Sequence, residues 1–198
     1  GRLSFLEQRS ELKSRESVDR LYQAVMSLVR VDLERATRLA NSLSWLADEL
    51  QDPLASAQSN RAMGHVLFFS GKNREAIERY HQSIAAYEKL GLDLEAAITI
   101  SSTLQTLIYD GQYEESLRLG ARARAIFQAH GDSLRIARLD GNIANILYRQ
   151  DRFQEAADLL KSVSEEMTLH GTPVDIAIAL RNLTVFYISL NEFSRALE

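Results

Sequence analysis

"YDGQYEESL", Tyr109 to Leu117, is the stretch on which the fold turns. Read alone, Asp-Gly between apolar runs signals a hairpin between strands. The acids Asp110, Glu114 and Glu115 around a glycine suggest a cation site or an acid–base pair. Both readings weaken once the neighbouring sequence is laid out at a step of 40 residues. The equivalent segments are "SGKNREAI" (Ser70 to Ile77) and "QDRFQEAA" (Gln150 to Ala157), and the apolar spacing on either side is helical rather than alternating. What repeats is a turn residue, a residue two positions on, and a small residue three further.

The turn column reads Gly71, Gly111, Asp151 and Asn191, the residue types that most readily adopt the left-handed conformation ending a helix. The next column reads Asn73, Tyr113, Phe153 and Phe193, and the small column Ala36, Ala76, Ser116, Ala156 and Ala196. A small side chain held at one spacing lets two helices cross closely. The other half of the unit repeats as well. Gly91, Gly131 and Gly171 mark a second turn, followed by Leu54, Leu94, Leu134 and Val174, then Ala57, Ala97, Ala137 and Ala177. Pro53 and Pro173 lie three periods apart, each behind an N-cap residue, Asp52 or Thr172. Each unit is therefore a helix, a tight turn, a second helix and a glycine-marked turn. In the second unit the helices run from about Pro53 to Ser70 and from about Asn73 to Leu90, each about 27 Å long. Stacked hairpins bury a continuous core that no single hairpin could make. The expected fold is all-α, a right-handed α-α superhelix. Its units are residues 17–51, 52–91, 92–131, 132–171 and 172–198, behind an extension of residues 1–16.

Composition agrees with a packed protein of ordinary surface. The 198 residues are 45% hydrophobic and 25% charged, with a formal net charge of -4. That balance argues against nucleic acid as the partner. No apolar run is long enough to span a membrane, and no signal peptide is visible, so a cytoplasmic protein is expected. The absence of cysteine excludes disulfides, thiolate metal sites and cysteine nucleophiles from these residues.

The segments "MGHVLFFSGKNREAIERY" (Met63 to Tyr80), "LIYDGQYEESL" (Leu107 to Leu117), "ILYRQDRFQEAADLL" (Ile146 to Leu160) and "FYISLNEFSRALE" (Phe186 to Glu198) resemble the tetratricopeptide (TPR) repeats. They show that family's large–small pair in the first helix, its turn residue, its aromatic and its small residue early in the second helix. The family's usual period is about 34 residues. The longer period resembles repeats attached to caspase-like CHAT proteases and to large ATP-dependent transcription regulators.

Two ends of the pattern differ. Val31 occupies the turn column of the first unit, where a β-branched residue would strain a left-handed backbone, so a different turn is expected there. At the other end Ala196 would begin a further second helix, yet the sequence stops at Glu198. The helix before it carries Ile176, Leu180, Leu183, Phe186, Tyr187 and Leu190. The expectation is that the native protein continues, and that without the continuation the exposed helix of residues 172–190 packs on another molecule, as in self-association, or is disordered.

No cofactor, metal site or catalytic site is expected. His130 and His170 share one column near a helix C-terminus, where a protonated imidazole is favoured, and two histidines leave a tetrahedral site unfilled. Glu75, Glu115 and Glu155 recur once per unit, as structural columns do. No G-x-S-x-G, H-E-x-x-H or phosphate-binding glycine loop occurs.

The family resemblance implies that certain faces of the first helices line a concave groove. Transferred by register, these positions hold Gln58, Arg61, His65, Phe68 and Phe69, then Ile98, Ser101, Gln105, Ile108 and Tyr109. The next two units supply Arg138, Gly141, Asn142, Asn145, Tyr148 and Arg149, then Ile178, Arg181, Asn182, Val185 and Ile188. No Asp or Glu is among them. Arginine recognises carboxylates bidentately, and asparagine can hold a peptide backbone through donor and acceptor together. The expected partner is an extended peptide or protein segment, acidic or with a free carboxylate. Asp140 is an alternative acid for Arg138. Other expectations consistent with the same residues are a sensor segment of a larger caspase-like protease and a regulatory arm of a transcription factor.

Overall fold

The computed structural model describes residues 13–191, and among these the secondary structure is nine α-helices. They are α1 (Arg15–Leu28), α2 (Leu33–Leu50), α3 (Pro53–Phe69), α4 (Asn73–Lys89), α5 (Asp93–Tyr109), α6 (Tyr113–Ala129), α7 (Ser133–Arg149), α8 (Phe153–His170) and α9 (Pro173–Ser189). Within α1–α5, and within α6–α9, successive helices are joined by turns of a few residues and run antiparallel. The residues of the small and aromatic columns at 193 and 196 lie outside the described residues, as do residues 1–12 of the expected extension.

The turn chemistry read from the repeat is realised in the backbone. Gly71 and Gly111 have φ 77°, and Asp151 and Asn191 have φ 59°. The same closing hydrogen bond recurs. Lys72 N donates to Leu67 O at 2.9 Å, Leu92 N to Tyr87 O at 2.9 Å, Asp132 N to Phe127 O at 3.0 Å and Arg152 N to Leu147 O at 3.0 Å. Each satisfies a carbonyl left over by the last helical turn. At Asp151 a non-glycine residue is held in this conformation, which costs about 1 kcal/mol relative to glycine.

Two turns differ for identifiable reasons. At Val31 the chain avoids the left-handed region. Helix α1 ends at Leu28, Val31 stands exposed, and the Asp32 side chain caps α2 by accepting from Arg35 N at 2.9 Å. Gly171 is extended (φ -82°, ψ 165°), unlike Gly91 and Gly131, and α8 runs on to His170. An added Cβ at Gly171 would come within 2.5 Å of the Met167 carbonyl oxygen, so this glycine serves close approach rather than a turn. The proline-marked starts are capped as expected. Asp52 accepts from Leu54 N and Ala55 N, and Thr172 and Asp175 form a reciprocal capping box.

The described chain forms two compact units, divided at Asp110–Gly111 between α5 and α6. In the first unit Val18, Val25, Ala36, Ala40, Leu43 and Leu46 from α1 and α2 pack with Ala55, Ala62 and Val66 of α3. Tyr80 and Tyr87 of α4 are fully enclosed. Burying such a ring contributes about 1.5–3 kcal/mol. In the second unit Ala137, Ala144 and Leu147 of α7 pack with Ala156, Leu160, Val163 and Met167 of α8 and with Ala179 and Phe186 of α9. Ala36, Ala76, Ser116 and Ala156 of the small column are all fully buried. No helix among the described residues is long and apolar enough to cross a membrane.

Candidate functional site

In the first unit the candidate residues Arg61 and His65 of α3 are turned into the protein. Arg61 is 5% exposed. Its Nε donates to Thr99 Oγ1 at 2.8 Å and one terminal nitrogen donates to the Tyr22 hydroxyl at 3.0 Å. The other donates to the carbonyl and the carboxylate of Glu95, at 2.7 and 2.6 Å. The guanidinium also lies 4.6 Å from the Tyr87 ring centroid. One side chain thus joins α1, α3, α4 and α5. A buried cation is tolerable because its donors are met and its charge faces a carboxylate.

His65 sits beside this clamp. Its Nδ1 shares a 3.0 Å hydrogen bond with the Tyr80 hydroxyl, and the two rings meet edge to face. Burial, reinforced by the positive charges of Arg61 and Arg30, lowers its pKa from 6.5 to about 4. Burial likewise pushes the Tyr80 phenol up. Gly64 makes this packing possible, since a Cβ there would lie 2.7 Å from Tyr80 ring carbons. Tyr109 stays exposed at the end of α5, its ring 5.9 Å from that of Phe68, and Gln105 is exposed on the same helix.

In the second unit the candidates stay at the surface. Arg138 of α7, 47% exposed, donates two hydrogen bonds to the carboxylate of Asp175 on α9, at 3.1 and 2.8 Å. The Arg138 guanidinium, opposed by slight burial and aided by Thr172, holds the Asp175 carboxyl far below the usual carboxylate range. Asp140 is not the partner of Arg138. It is nearly buried and takes Arg124 of α6 instead; burial raises its pKa against that arginine's pull. At the far ends of the same helices the Tyr148 hydroxyl and Ser189 Oγ are 3.0 Å apart, with the Tyr148 and Phe186 rings at 4.7 Å. Tied at both ends, α7 and α9 run side by side in the same direction. Between the ties, Asn145 Nδ2 donates to Gly141 O at 3.1 Å and Arg181 donates to Asn182 Oδ1 at 3.1 Å. Asn142 is half-buried and Arg149 exposed. Ile178, Val185 and Ile188 are 43%, 47% and 49% exposed.

The structure therefore gathers Arg138, Asn142, Asn145, Tyr148, Arg149, Arg181 and Asn182 along two adjacent helices, while Arg61 and His65 belong to a core network. Sequence reasoning missed Tyr22, Glu95 and Thr99 as partners of Arg61. One signal was present: Glu95 and Asp175 share a repeat column in the first turn of α5 and α9, although their arginines stand in different columns, 34 and 37 residues earlier. Among the described residues no group of three or more acids and histidines is placed to hold a metal ion.

The family model of the tetratricopeptide repeat matches residues 99–165. Searching the curated proteins gives no match. Among solved structures, BtubC from P. vanneervenii is similar at 19% identity and TM-score 0.73, over 90% of this chain and 76% of that one. The STAND protein with a tetratricopeptide repeat sensor from Pyrococcus horikoshii is similar at 14% identity and TM-score 0.74, over 90% of this chain and 28% of that one. A Rap protein complexed with Competence and Sporulation Factor is similar at 18% identity and TM-score 0.62, over 95% and 57%. The resemblance carried by the repeat columns holds, and the fold is the all-α solenoid of TPR-like hairpins that the register predicts.

Proposed function

We propose that this chain is a protein-interaction module that takes an extended, acidic peptide segment on the adjacent faces of α7 and α9. The observation that supports this most is the face itself. Two helices fixed side by side present amides from Asn142, Asn145 and Asn182, the cations Arg149 and Arg181, and a row of exposed aliphatic side chains. Amides suit a peptide backbone, and guanidinium groups suit carboxylates, including a free C-terminal one. The Rap structure, solved with a bound factor, favours the same use. The test is a peptide array of matched sequences in which glutamate is exchanged for lysine. Acidic members bind, and Arg149→Ala with Arg181→Ala weakens them by about tenfold or more. Equal capture of acidic and basic members, or unchanged binding by the double variant, counts against this chemistry.

A second reading has one observation in its favour. The Pyrococcus protein is a signal transduction ATPase with a tetratricopeptide repeat sensor, and this chain covers 28% of its length. In that reading the repeats are the sensing part of a larger regulated protein, and occupation of the α7–α9 face is the signal. A related use of the apolar residues of α9 is packing on a second copy of this chain. Sedimentation at rising concentration separates that use from peptide capture.

A further inference from the structure

Gly141 stands in the middle of α7, where glycine weakens a helix relative to alanine. The two interior helical glycines compared above and here have opposite surroundings. At Gly64 an added Cβ would strike the Tyr80 ring, whereas at Gly141 it would meet nothing within 4 Å. Packing within the chain therefore gives no reason for the missing side chain at 141. The space a side chain would fill is open, although the Gly141 carbonyl itself accepts from Asn145.

What faces this gap follows from the two ties between α7 and α9. Their pairing offsets are 37 residues at Arg138–Asp175 and 41 at Tyr148–Ser189. Residues 178–182 are therefore level with Gly141, and Val185 is level with Asn145. Ile178, Arg181 and Val185 share one face of α9 at helical spacing, and all three are exposed. Among the described residues Arg181 reaches the neutral amide of Asn182 and makes no ion pair. A gap over Gly141, walled by two aliphatic side chains and overlooked by a cation, has a definite complement.

Resting on the groove reading above, we infer that Gly141 is the floor of a seat for one bulky aliphatic side chain of the bound peptide, followed directly by an acidic residue that meets Arg181. The aliphatic group lies over Gly141 between Ile178 and Val185. A side chain at position 141 would occupy the seat. Glycine at 141 costs helix stability and leaves that space to the ligand.

The test uses the full 198-residue chain and three capped Gly/Ser peptides with a central Leu-Glu, Ala-Glu or Leu-Lys pair. Binding is followed by titration and by backbone amide shifts. The Leu-Glu peptide moves amides at 141–145 and 178–185, and the other two bind at least about tenfold more weakly. Gly141→Leu weakens Leu-Glu binding by about tenfold or more, and Gly141→Ala weakens it by a smaller factor. In the free protein Gly141→Ala raises Tm by about 2–4 °C, the gain from helix propensity alone. If Gly141→Leu and Gly141→Ala bind as the wild type does while inner-face amides still shift, the seat is wrong and the groove reading stands. If no peptide moves any amide of α7 or α9, both fall. A lowered Tm for Gly141→Ala also overturns the inference, because the glycine then serves packing.

Discussion

Arg61 and Arg138 make the same kind of link with unlike results. Each starts on the first helix of a hairpin and reaches an acid in the first turn of the next such helix, Glu95 or Asp175. Arg61 does so from inside, among the Tyr22 hydroxyl, the Tyr87 ring and Thr99, whereas Arg138 does so in solvent. The difference lies in what surrounds the pair rather than in the pair. Neighbouring aromatic rings exclude water from Arg61, so losing it strands several polar groups at once. Nothing equivalent shields Arg138, and water replaces its bonds readily.

The largest effect that would test this contrast is Arg61→Ala. It leaves Glu95, Thr99 and the Tyr22 hydroxyl without their donor and should destabilise the first unit by about 3–5 kcal/mol in urea unfolding. A loss below about 1 kcal/mol would show that the clamp is replaced by water and that the two arginines are equivalent after all.

A smaller effect comes from His65. Its folded pKa is about 4 against an ordinary 6.5, so the folded state favours the neutral ring. The associated stability is fully present above pH 6.5, declines as the pH falls through the interval, and is gone below about 4. The change is on the order of 3 kcal/mol. His65→Gln, which keeps a hydrogen-bonding partner for Tyr80 without a titrating ring, should flatten this part of the pH profile. An unchanged slope would place the acid sensitivity elsewhere.

Least of all is expected from Arg138→Ala, about 0.2–1 kcal/mol, since an exposed pair contributes little. It should also shift the Asp175 carboxyl upward toward its ordinary value, which a carbon-detected NMR titration reads directly. A cost as large as that of Arg61→Ala would mean that exposure is not what separates the two.

Much of this was legible in the sequence. The turn glycines, Asp151, Asn191, the proline-marked caps and the small column all act within a few residues of themselves, so the repeat register places them. Val31 was readable as an exception for the same reason, since a β-branched residue resists the left-handed region wherever it stands. The candidate face was legible only in part. Register assigned Arg61 and Asn145 to corresponding faces, but whether a polar side chain turns inward depends on rings and acids contributed by helices far away in sequence. Tyr22 and Glu95 lie 39 and 34 residues from Arg61, and no local pattern marks them as its partners. The opposite surroundings of Gly64 and Gly141 are equally invisible in the letters, because both are simply glycines within helices.

The contact of Gly64 with Tyr80 has a consequence for how this sequence can drift. A methyl group gained at 64 demands a smaller ring or none at 80. Removing that ring takes away the hydroxyl that His65 Nδ1 meets, so position 65 must change as well. Three positions on two helices are thereby bound into one step. Substitutions there should be tolerated jointly and rejected singly, which makes this corner of the first unit a slow-changing marker of descent.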